Sequence, residues 1–145
     1  MVCITADYEF GVSQEDKMLA NLQDKFGKDL CKATSKTSPV DFYSDTVIVE
    51  LKTRRNTYRK YPTTMISKSK IDFMMRQNTK KCYCVFKFTD GVYYIPINSD
   101  TVQKFSLGRG GRVDRGAPEF NIYYYIPINL LSKFPEDCAV ILSET

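Results

Sequence analysis

Apolar residues recur at helical spacing near the beginning of the chain, and this pattern predicts a first helix. Ser13 and Asp16 have the spacing of a capping box, and Gly27 is placed to end the helix. The apolar positions of this helix are Met18, Leu19, Leu22 and Phe26. Glu15 points along the same stripe, where a carboxylate needs a partner, although its place near the first turn also suits a solvated side chain.

From Val40 onward the pattern alternates with a period of two, which is typical of strands. Two strands are predicted, Val40–Tyr43 and Thr46–Thr53, joined by a turn at Ser44-Asp45. A basic loop, Arg54–Tyr61, follows the second strand. Pro62 suits the first turn of a helix, and the apolar content after it predicts a helix over Thr63–Asn78.

The second half of the chain predicts a hairpin and a further strand. The hairpin consists of Cys82–Phe88 and Val92–Ile97 around Thr89-Asp90-Gly91. The Gly- and Arg-rich segment Gln103–Glu119 predicts a mobile loop, and Asn121–Ile128 predicts the last strand. The alternation of helices and strands predicts the α/β fold class, with one domain over residues 1–145 built on a mixed central sheet flanked by helices.

The composition agrees with one globular domain, since the chain has 145 residues, of which 43% are hydrophobic and 26% charged. No segment approaches the roughly 20 apolar residues that a membrane helix needs. The first residues include Asp7 and Glu9, where a signal peptide would have a basic flank and an apolar run. We therefore expect a protein that is not exported, does not contact a membrane and lies in the cytoplasm or nucleus.

The chain has five cysteines and no histidine, which excludes several kinds of chemistry. Ser/His and Cys/His catalysis, histidine metal clusters and histidine-containing zinc fingers all require imidazole groups. The odd number of cysteines indicates reduced thiols, and we interpret Cys82 and Cys84 as small core residues. Catalysis would therefore have to use carboxylates, lysines, tyrosines or a metal.

Basic residues are concentrated in the middle of the chain. Residues 52–81 hold ten Lys and Arg side chains against one acidic residue, Asp72, whereas residues 1–50 hold five basic and nine acidic side chains. This segregation predicts a surface that meets a polyanion such as nucleic acid. A solvated helix face followed by a loop is the alternative interpretation of such a charge run.

Two carboxylates and a lysine share one face of the first predicted hairpin. If Ser44-Asp45 is a two-residue turn, Asp41 lies opposite Ile48 and diagonal to Glu50, at a backbone distance of about 7–8 Å. Lys52 follows Glu50 on the same face because side chains alternate along a strand. The three side chains therefore form a line on one surface.

Carboxylates this close repel each other unless a cation lies between them, and oxygen ligands of this kind suit Mg²⁺ or Mn²⁺. The Leu51 carbonyl is placed to add a further ligand. A metal held there would polarise a phosphodiester and generate hydroxide, while Lys52 positions the attacking water or stabilises the developing charge. A surface ladder of ion pairs is the alternative.

These residues resemble the PD-(D/E)XK nuclease superfamily. The resemblance covers Ser13–Ile97 and rests on Asp41 and Glu50-Leu51-Lys52 between two helices, although Val40 rather than proline precedes Asp41. It implies a restriction-endonuclease-like αβββαβ core and a Mg²⁺-dependent endonuclease of the small phage, viral or junction-resolvase type. It also implies that Asp41 and Glu50 are metal ligands, that Lys52 is the catalytic lysine and that Glu15 is an additional ligand.

Basic and aromatic residues after this motif are the expected contacts with nucleic acid. Arginine and lysine side chains would follow the phosphate backbone, while tyrosines would either stack on bases or pack against the sheet. The predicted contacts are Arg54, Arg55, Tyr58, Arg59, Lys60, Lys68, Lys70, Arg109, Arg112 and Arg115, with Tyr61 as a further aromatic residue. The resemblance makes Lys68, Lys70 and Gln77 candidates for an additional residue near the site.

DNA is favoured over RNA as the partner, and backbone contacts of this kind indicate no sequence-specific recognition. An RNA endonuclease on the same fold and a nucleic-acid-binding module without turnover stay open as alternatives. The resemblance also implies a homodimer. We first expect its surface on the strand Ile122–Ile126, although packing in the core explains the tyrosines of this strand equally well.

Overall fold

The computed structural model describes residues 17–34, 38, 40–109 and 122–134, which form two sheets with helices packed on them. In chain order the strands are β1 (Cys31–Lys32), β2 (Phe42–Tyr43), β3 (Val47–Thr53), β4 (Thr63–Ser67), β5 (Lys81–Phe88), β6 (Gly91–Ile97), β7 (Ser106–Arg109), β8 (Ile122–Pro127) and β9 (Ser132–Lys133). The helices are α1, which includes residues 17–26, α2 (Lys68–Met75) and α3 (Ser99–Val102), and a 3-10 turn spans Ile128–Leu130.

Within the described ranges, six strands form a mixed sheet in the order β1-β2-β3-β5-β6-β9. Strands β3 and β5 are parallel, and the other neighbours are antiparallel. The central strand β3 is buried over Val47–Leu51 because both faces of the sheet are covered. One face packs against Met18 and Leu22 of α1, and the other face packs against Ile71 and Met74 of α2.

The parallel pairing of β3 and β5 requires a connection that crosses from one end of the sheet to the other. This crossover, residues 54–80, contains β4 and α2. Strand β4 pairs with β8, and β8 pairs with β7, so that the described residues form a second sheet in the order β4-β8-β7. Ile66 and Ile126 of this second sheet share a core cluster with Ile71 and Cys84, which places the second sheet on the α2 side of the central sheet.

Arg54 connects the end of β3 to the second sheet. Its Nε donates a hydrogen bond to Thr64 Oγ1 at 3.3 Å, and its Nη2 donates to the Met65 carbonyl at 2.5 Å. The guanidinium group also lies 5.8 Å from the centre of the Phe86 ring. Burial lowers the pKa of Arg54 from its ordinary value. This side chain, which the sequence assigned to phosphate contacts, is therefore half-buried between the two sheets.

The predicted fold class is confirmed, because a mixed sheet lies between α1 on one face and α2 on the other. The predicted hairpin is confirmed as β5 and β6, and the predicted strand over 121–128 is confirmed as β8. It is not the last strand, because β9 follows it. The sequence Tyr-Tyr-Ile-Pro-Ile-Asn occurs twice, at residues 93–98 and 124–129, and its two copies lie at the carboxyl ends of β6 and β8. No helix in the described part of the chain has the length and apolar content needed to cross a membrane.

The predicted helix over Thr63–Asn78 is wrong in its first part, since residues 63–67 form β4 and the helix is confined to Lys68–Met75. In β4 the buried residues alternate, with Thr64 and Ile66 facing inward. β-Branched side chains favour this extended conformation, and pairing with β8 satisfies the backbone of the strand. The loop predicted over residues 103–119 is also wrong in part, because Ser106–Arg109 form β7.

The predicted register of the first hairpin is wrong by two residues. Phe42 lies opposite Val49 and Tyr43 lies opposite Ile48, so that the turn is formed by residues 45 and 46. Ser44 closes this turn, because its hydroxyl accepts hydrogen bonds from the backbone N–H groups of Thr46 and Val47. A shift of two residues leaves every side chain on its predicted face, since the pleat also has a period of two.

We predict that Arg54→Met lowers the free energy of unfolding by about 1–3 kcal/mol, because Thr64 and the Met65 carbonyl lose a charged donor in a partly buried position. Urea denaturation would measure this loss. Arg59→Met, in the same loop but exposed, is the matched control and should change stability by less than about 0.5 kcal/mol. Equal effects of the two substitutions would contradict the bridging role of Arg54.

Candidate active site

The central strand β3 carries a buried carboxylate in an otherwise apolar run. Glu50 is 1% exposed, although its neighbours in sequence, Val49 and Leu51, belong to the core on the opposite face. On the parallel strand β5, Cys84 lies at the same level as Glu50, and Phe86 lies at the level of Lys52. Glu50 and Lys52 therefore project from the same face of the sheet, towards α2.

Asp41 directly precedes β2, the strand that pairs with β3. Extending the observed register by one residue from Phe42 and Val49 places Asp41 directly opposite Glu50, rather than diagonal to it as predicted. Directly opposite residues lie closer than diagonal ones, at about 4.5–5.5 Å between their Cβ atoms. The Oδ2 atom of Asp41 accepts a hydrogen bond of 2.8 Å from the Leu51 backbone N–H, which fixes this side chain against β3.

Two lysines contact the buried carboxylate. The Nζ of Lys52 lies 3.3 Å from Glu50 Oε2. From helix α2, the Nζ of Lys70 lies 3.2 Å from Oε2 and 3.3 Å from Oε1. The lysine side chains are 35% and 27% exposed, so their ammonium groups reach the surface while Glu50 remains beneath them. The result is a short line of charges that leads from solvent to a buried carboxylate.

The pKa of Glu50 is raised above its ordinary value. Burial is the largest cause, because it disfavours the charged form, and the negative charge of Asp41 is the second. Lys52 and Lys70 act in the opposite direction and lower the pKa without cancelling the effect of burial. A further positive charge nearby would therefore stabilise the ionised form of Glu50. The pKa of the neighbouring Cys84 thiol is raised by its own burial and then by Glu50, which keeps the thiol protonated.

The carboxylates fit a hard divalent cation by their chemistry. In the described ranges no group of three or more His, Cys, Asp or Glu residues is placed to hold a metal ion. Mg²⁺, however, needs only one or two carboxylates, because water molecules complete its coordination. Asp41 and Glu50 are two carboxylates of this kind, and the Leu51 carbonyl directly follows Glu50 in sequence. Glu15, the predicted additional ligand, lies outside the described residues.

The basic loop that follows β3 contains several of the predicted nucleic-acid contacts. Arg55, Arg59 and Lys60 lie on its exposed surface. One face of the Tyr58 ring is covered, because it stacks on Tyr93 with 3.8 Å between ring centroids and an angle of 5°. Its hydroxyl also donates to the Ile128 carbonyl at 2.9 Å, so this tyrosine is part of the packing.

The remaining predicted contacts in the described residues have other interactions or positions. Lys68 forms an exposed ion pair of 2.6 Å with Asp72, which raises the pKa of the lysine. Gln77 donates from its Nε2 to the Phe73 carbonyl, and Arg109 is the last residue of β7. Arg112 and Arg115 lie outside the described residues.

The contact between Lys70 and Glu50 is not predicted from the sequence. The sequence assigns Lys70 to the nucleic-acid contacts and to the candidates for an additional residue near the site. The alternation along β3 could not reveal it, since the contact depends on how α2 packs on the sheet. The spacing within the helix offers a partial signal: Lys70 directly precedes Ile71, which is fully buried, and therefore borders the packed face of α2.

The sequence model of a family described as "Phage putative PDDEXK endonuclease" matches residues 13–134. In structure, the chain is similar to Hjc, a Holliday junction resolvase from the archaeal hyperthermophile Archaeoglobus fulgidus, with 12% sequence identity and a TM-score of 0.48. This similarity covers 88% of the present chain and 95% of the resolvase chain. A comparison with curated proteins gave no match in sequence.

We predict that Glu50→Gln raises the thermal stability of the metal-free protein at pH 8. Because the folded protein binds the Glu50 proton more tightly than the unfolded chain does, the stability of the wild type falls as the pH rises from about 4.5 through the raised pKa. The neutral amide avoids this loss. The difference in melting temperature should therefore shrink as the pH approaches 4.5, which calorimetry in chelator-containing buffers would measure.

Asp24→Asn is the matched control for this measurement, since Asp24 is an exposed partner of Lys28 on α1. It should show no comparable gain at pH 8. A lower melting temperature for Glu50→Gln at pH 8 would mean that Lys52 and Lys70 more than compensate for the burial of the carboxylate.

Proposed function

Since the chain belongs to the phage PD-(D/E)XK endonuclease family, we propose that it is a metal-dependent endonuclease that hydrolyses phosphodiester bonds in DNA. Family membership confirms the resemblance seen in the sequence. The observation that carries the proposal is the buried Glu50 carboxylate, which has Asp41 just before the neighbouring strand β2 and two lysines in contact. A pair of carboxylates that can bind a cation, next to two ammonium groups, suits a reaction in which a phosphate must be bound and attacked.

In this proposal Asp41 and Glu50 hold Mg²⁺ or Mn²⁺. The Leu51 carbonyl and Glu15 are the further proposed ligands. When bound, the metal supplies Lewis-acid activation of the phosphodiester and of the attacking water. The raised pKa of Glu50 supports this role, because a divalent cation would favour the carboxylate form that burial disfavours.

Lys52 is the proposed catalytic lysine. Its ammonium group lies beside Glu50 and is one-third exposed, so it can contact both the attacking water and a phosphate that approaches from solvent. There it would orient the water or stabilise the charge that develops on the phosphate. Lys70 has a similar position and would bind the phosphate once the metal has replaced it as the counter-ion of Glu50.

The basic loop after β3 is the proposed path of the nucleic-acid backbone. Arg55, Arg59 and Lys60 follow directly after the strand that carries Glu50 and Lys52, so that phosphates bound by the loop would lead towards the site. Such contacts do not distinguish base sequences. DNA rather than RNA, and action as a homodimer, stay predictions from the family resemblance.

A nucleic-acid-binding module without turnover is the second candidate. One observation favours it: Glu50 is already compensated by Lys52 and Lys70, and Asp41 already accepts a hydrogen bond from the Leu51 N–H group. The charges of the site are therefore partly satisfied by the protein itself. Metal binding and cleavage, measured separately, distinguish the two functions.

For metal binding, we predict that Asp41→Asn and Glu50→Gln each weaken Mn²⁺ affinity by about tenfold or more, because each removes one negative ligand. Lys70→Met should instead strengthen the affinity, since an ammonium group no longer competes for Glu50. Titration calorimetry of the metal-free protein would measure these changes, with Asp24→Asn as the control. Unchanged affinity in both carboxylate variants would show that the metal, if bound, lies elsewhere.

For cleavage, we predict metal-dependent activity that Glu50→Gln abolishes and that Lys52→Met lowers by about 10²–10³-fold, the usual effect of removing one group that stabilises the transition state. The substrates would be supercoiled plasmid, single-stranded DNA, a four-way junction and RNA, each with Mg²⁺, Mn²⁺ or chelator.

Lys28→Met is the matched control for Lys52→Met, because Lys28 is an exposed lysine of an ion pair on the opposite face of the sheet. It should cleave at the wild-type rate. Salt-sensitive binding without cleavage of any substrate would reject the enzyme and support the binding module. Preferential cleavage of RNA would keep the mechanism and change the substrate.

A further inference from the structure

A cavity of about 400 Å³ lies between the basic loop, the end of β5 and the second sheet. Its walls are rich in aromatic side chains and include one cation. The residues that matter here are Arg54, Tyr58, Tyr61, Phe88 and Tyr125. The volume is that of a pocket for a small organic group rather than of a packing defect.

The cavity begins next to the candidate active site. Arg54, which lines it, follows Lys52 by two residues, so their Cα atoms are separated by about 6.6 Å along the strand direction. Phe86 provides a second link, because it pairs with Lys52 in the β3–β5 register and lies under the Arg54 guanidinium group. A nucleotide whose phosphate lies at Lys52 would therefore have a neighbouring base within reach of the cavity.

The walls of the cavity are fixed before any ligand binds. Tyr58 is held by its stacking on Tyr93 and by its edge-to-face contact with Phe88, at 5.7 Å between centroids. Its backbone N–H donates to Asp90 Oδ1 at 2.8 Å, which ties the loop to the β5–β6 turn. At the far end of the loop, the Pro62 carbonyl accepts a hydrogen bond from the Ile128 N–H group. A ligand would therefore bind without the cost of ordering this wall.

The chemistry of the cavity suits a flat aromatic group with polar edges. Tyr61 is 53% exposed and offers a ring to stack on. Only two of the five N–H groups of Arg54 are used in the hydrogen bonds to β4. A guanidinium group pairs well with the carbonyl and ring-nitrogen acceptors of a nucleobase.

We propose that this cavity binds one unpaired nucleobase of the strand that is cut. The inference rests on the proposed function, because it assumes that the strand passes Lys52. A base within a duplex has both faces stacked and its edge paired, so it must leave the duplex to enter an aromatic pocket. The substrate would therefore carry an unpaired nucleotide beside the scissile phosphate, as in a single strand, a flap or a bulge.

The test is a scan with abasic sites. Single-stranded DNA oligonucleotides, each lacking one base at a different position, are bound to the full chain in chelator so that no cleavage occurs, and fluorescence anisotropy gives the affinity. The oligonucleotide is chosen to have one preferred cleavage site, which is mapped separately with Mn²⁺. This site serves as the reference for the position of each missing base. We expect a loss of about tenfold at one position near that site, as is usual for a base that stacks on an aromatic side chain.

Tyr61→Ala should weaken binding of the intact oligonucleotide by about the same factor, and it should add no further loss on the oligonucleotide that lacks the critical base. Tyr61→Phe retains the ring and should restore the wild-type pattern. Tyr43→Ala is the matched control, since Tyr43 is 45% exposed and does not line the cavity. It should leave the wild-type pattern unchanged.

Equal affinity for every abasic oligonucleotide would overturn the inference. If the same protein preparation still cleaves DNA with Mn²⁺, the proposed function is retained. Conversely, a critical base in a protein that cleaves nothing would retain the pocket and reject the nuclease. Additive losses from Tyr61→Ala and the missing base would also overturn the inference, because the base would then bind elsewhere.

Discussion

The parallel pairing of β3 with β5 is the constraint on which the rest of the architecture depends. Parallel neighbours cannot be joined by a tight turn, so the chain must leave the sheet, cross one of its faces and return. The crossover covers the face that carries Glu50, and it brings Lys70 on α2 into contact with that carboxylate. The same segment provides β4, on which the second sheet is built. One topological requirement therefore accounts for the cover of the core, the counter-charge of the site and the wall of the cavity.

The candidate site places a charge where the fold alone would favour an apolar residue. Glu50 lies in a strand that is buried on both faces, and burial together with Asp41 disfavours its ionised form. Two lysines at about hydrogen-bonding distance offset part of this cost while remaining open to solvent. In the proposed function, a bound cation and a bound phosphate would each compensate charges that the protein alone leaves only partly compensated.

The faces of the strands could be predicted from the sequence because alternation is a local property. Asp41, Glu50 and Lys52 therefore share a face as expected, even though the turn at residues 45 and 46 shifts the register by two. The extended conformation of Thr63–Ser67 could not be predicted in the same way, since it depends on pairing with β8 near the other end of the chain. Arg54 illustrates the same limit: its sequence neighbours are basic, but its partners Thr64 and Met65 reach it only when the second sheet packs against the first.

Thr63 pairs with Pro127, so the two strands of this pair are synthesised at different times. Strands β3, β5 and β6 and helix α2 all precede β8 in the chain, so the ribosome releases them first. Strand β4 therefore emerges well before its partner. Contacts between distant residues form slowly because the intervening chain must first be closed into a loop. During translation, the elements that carry Glu50, Lys52 and Lys70 are therefore synthesised before the strand that pairs with β4 beside the aromatic cavity.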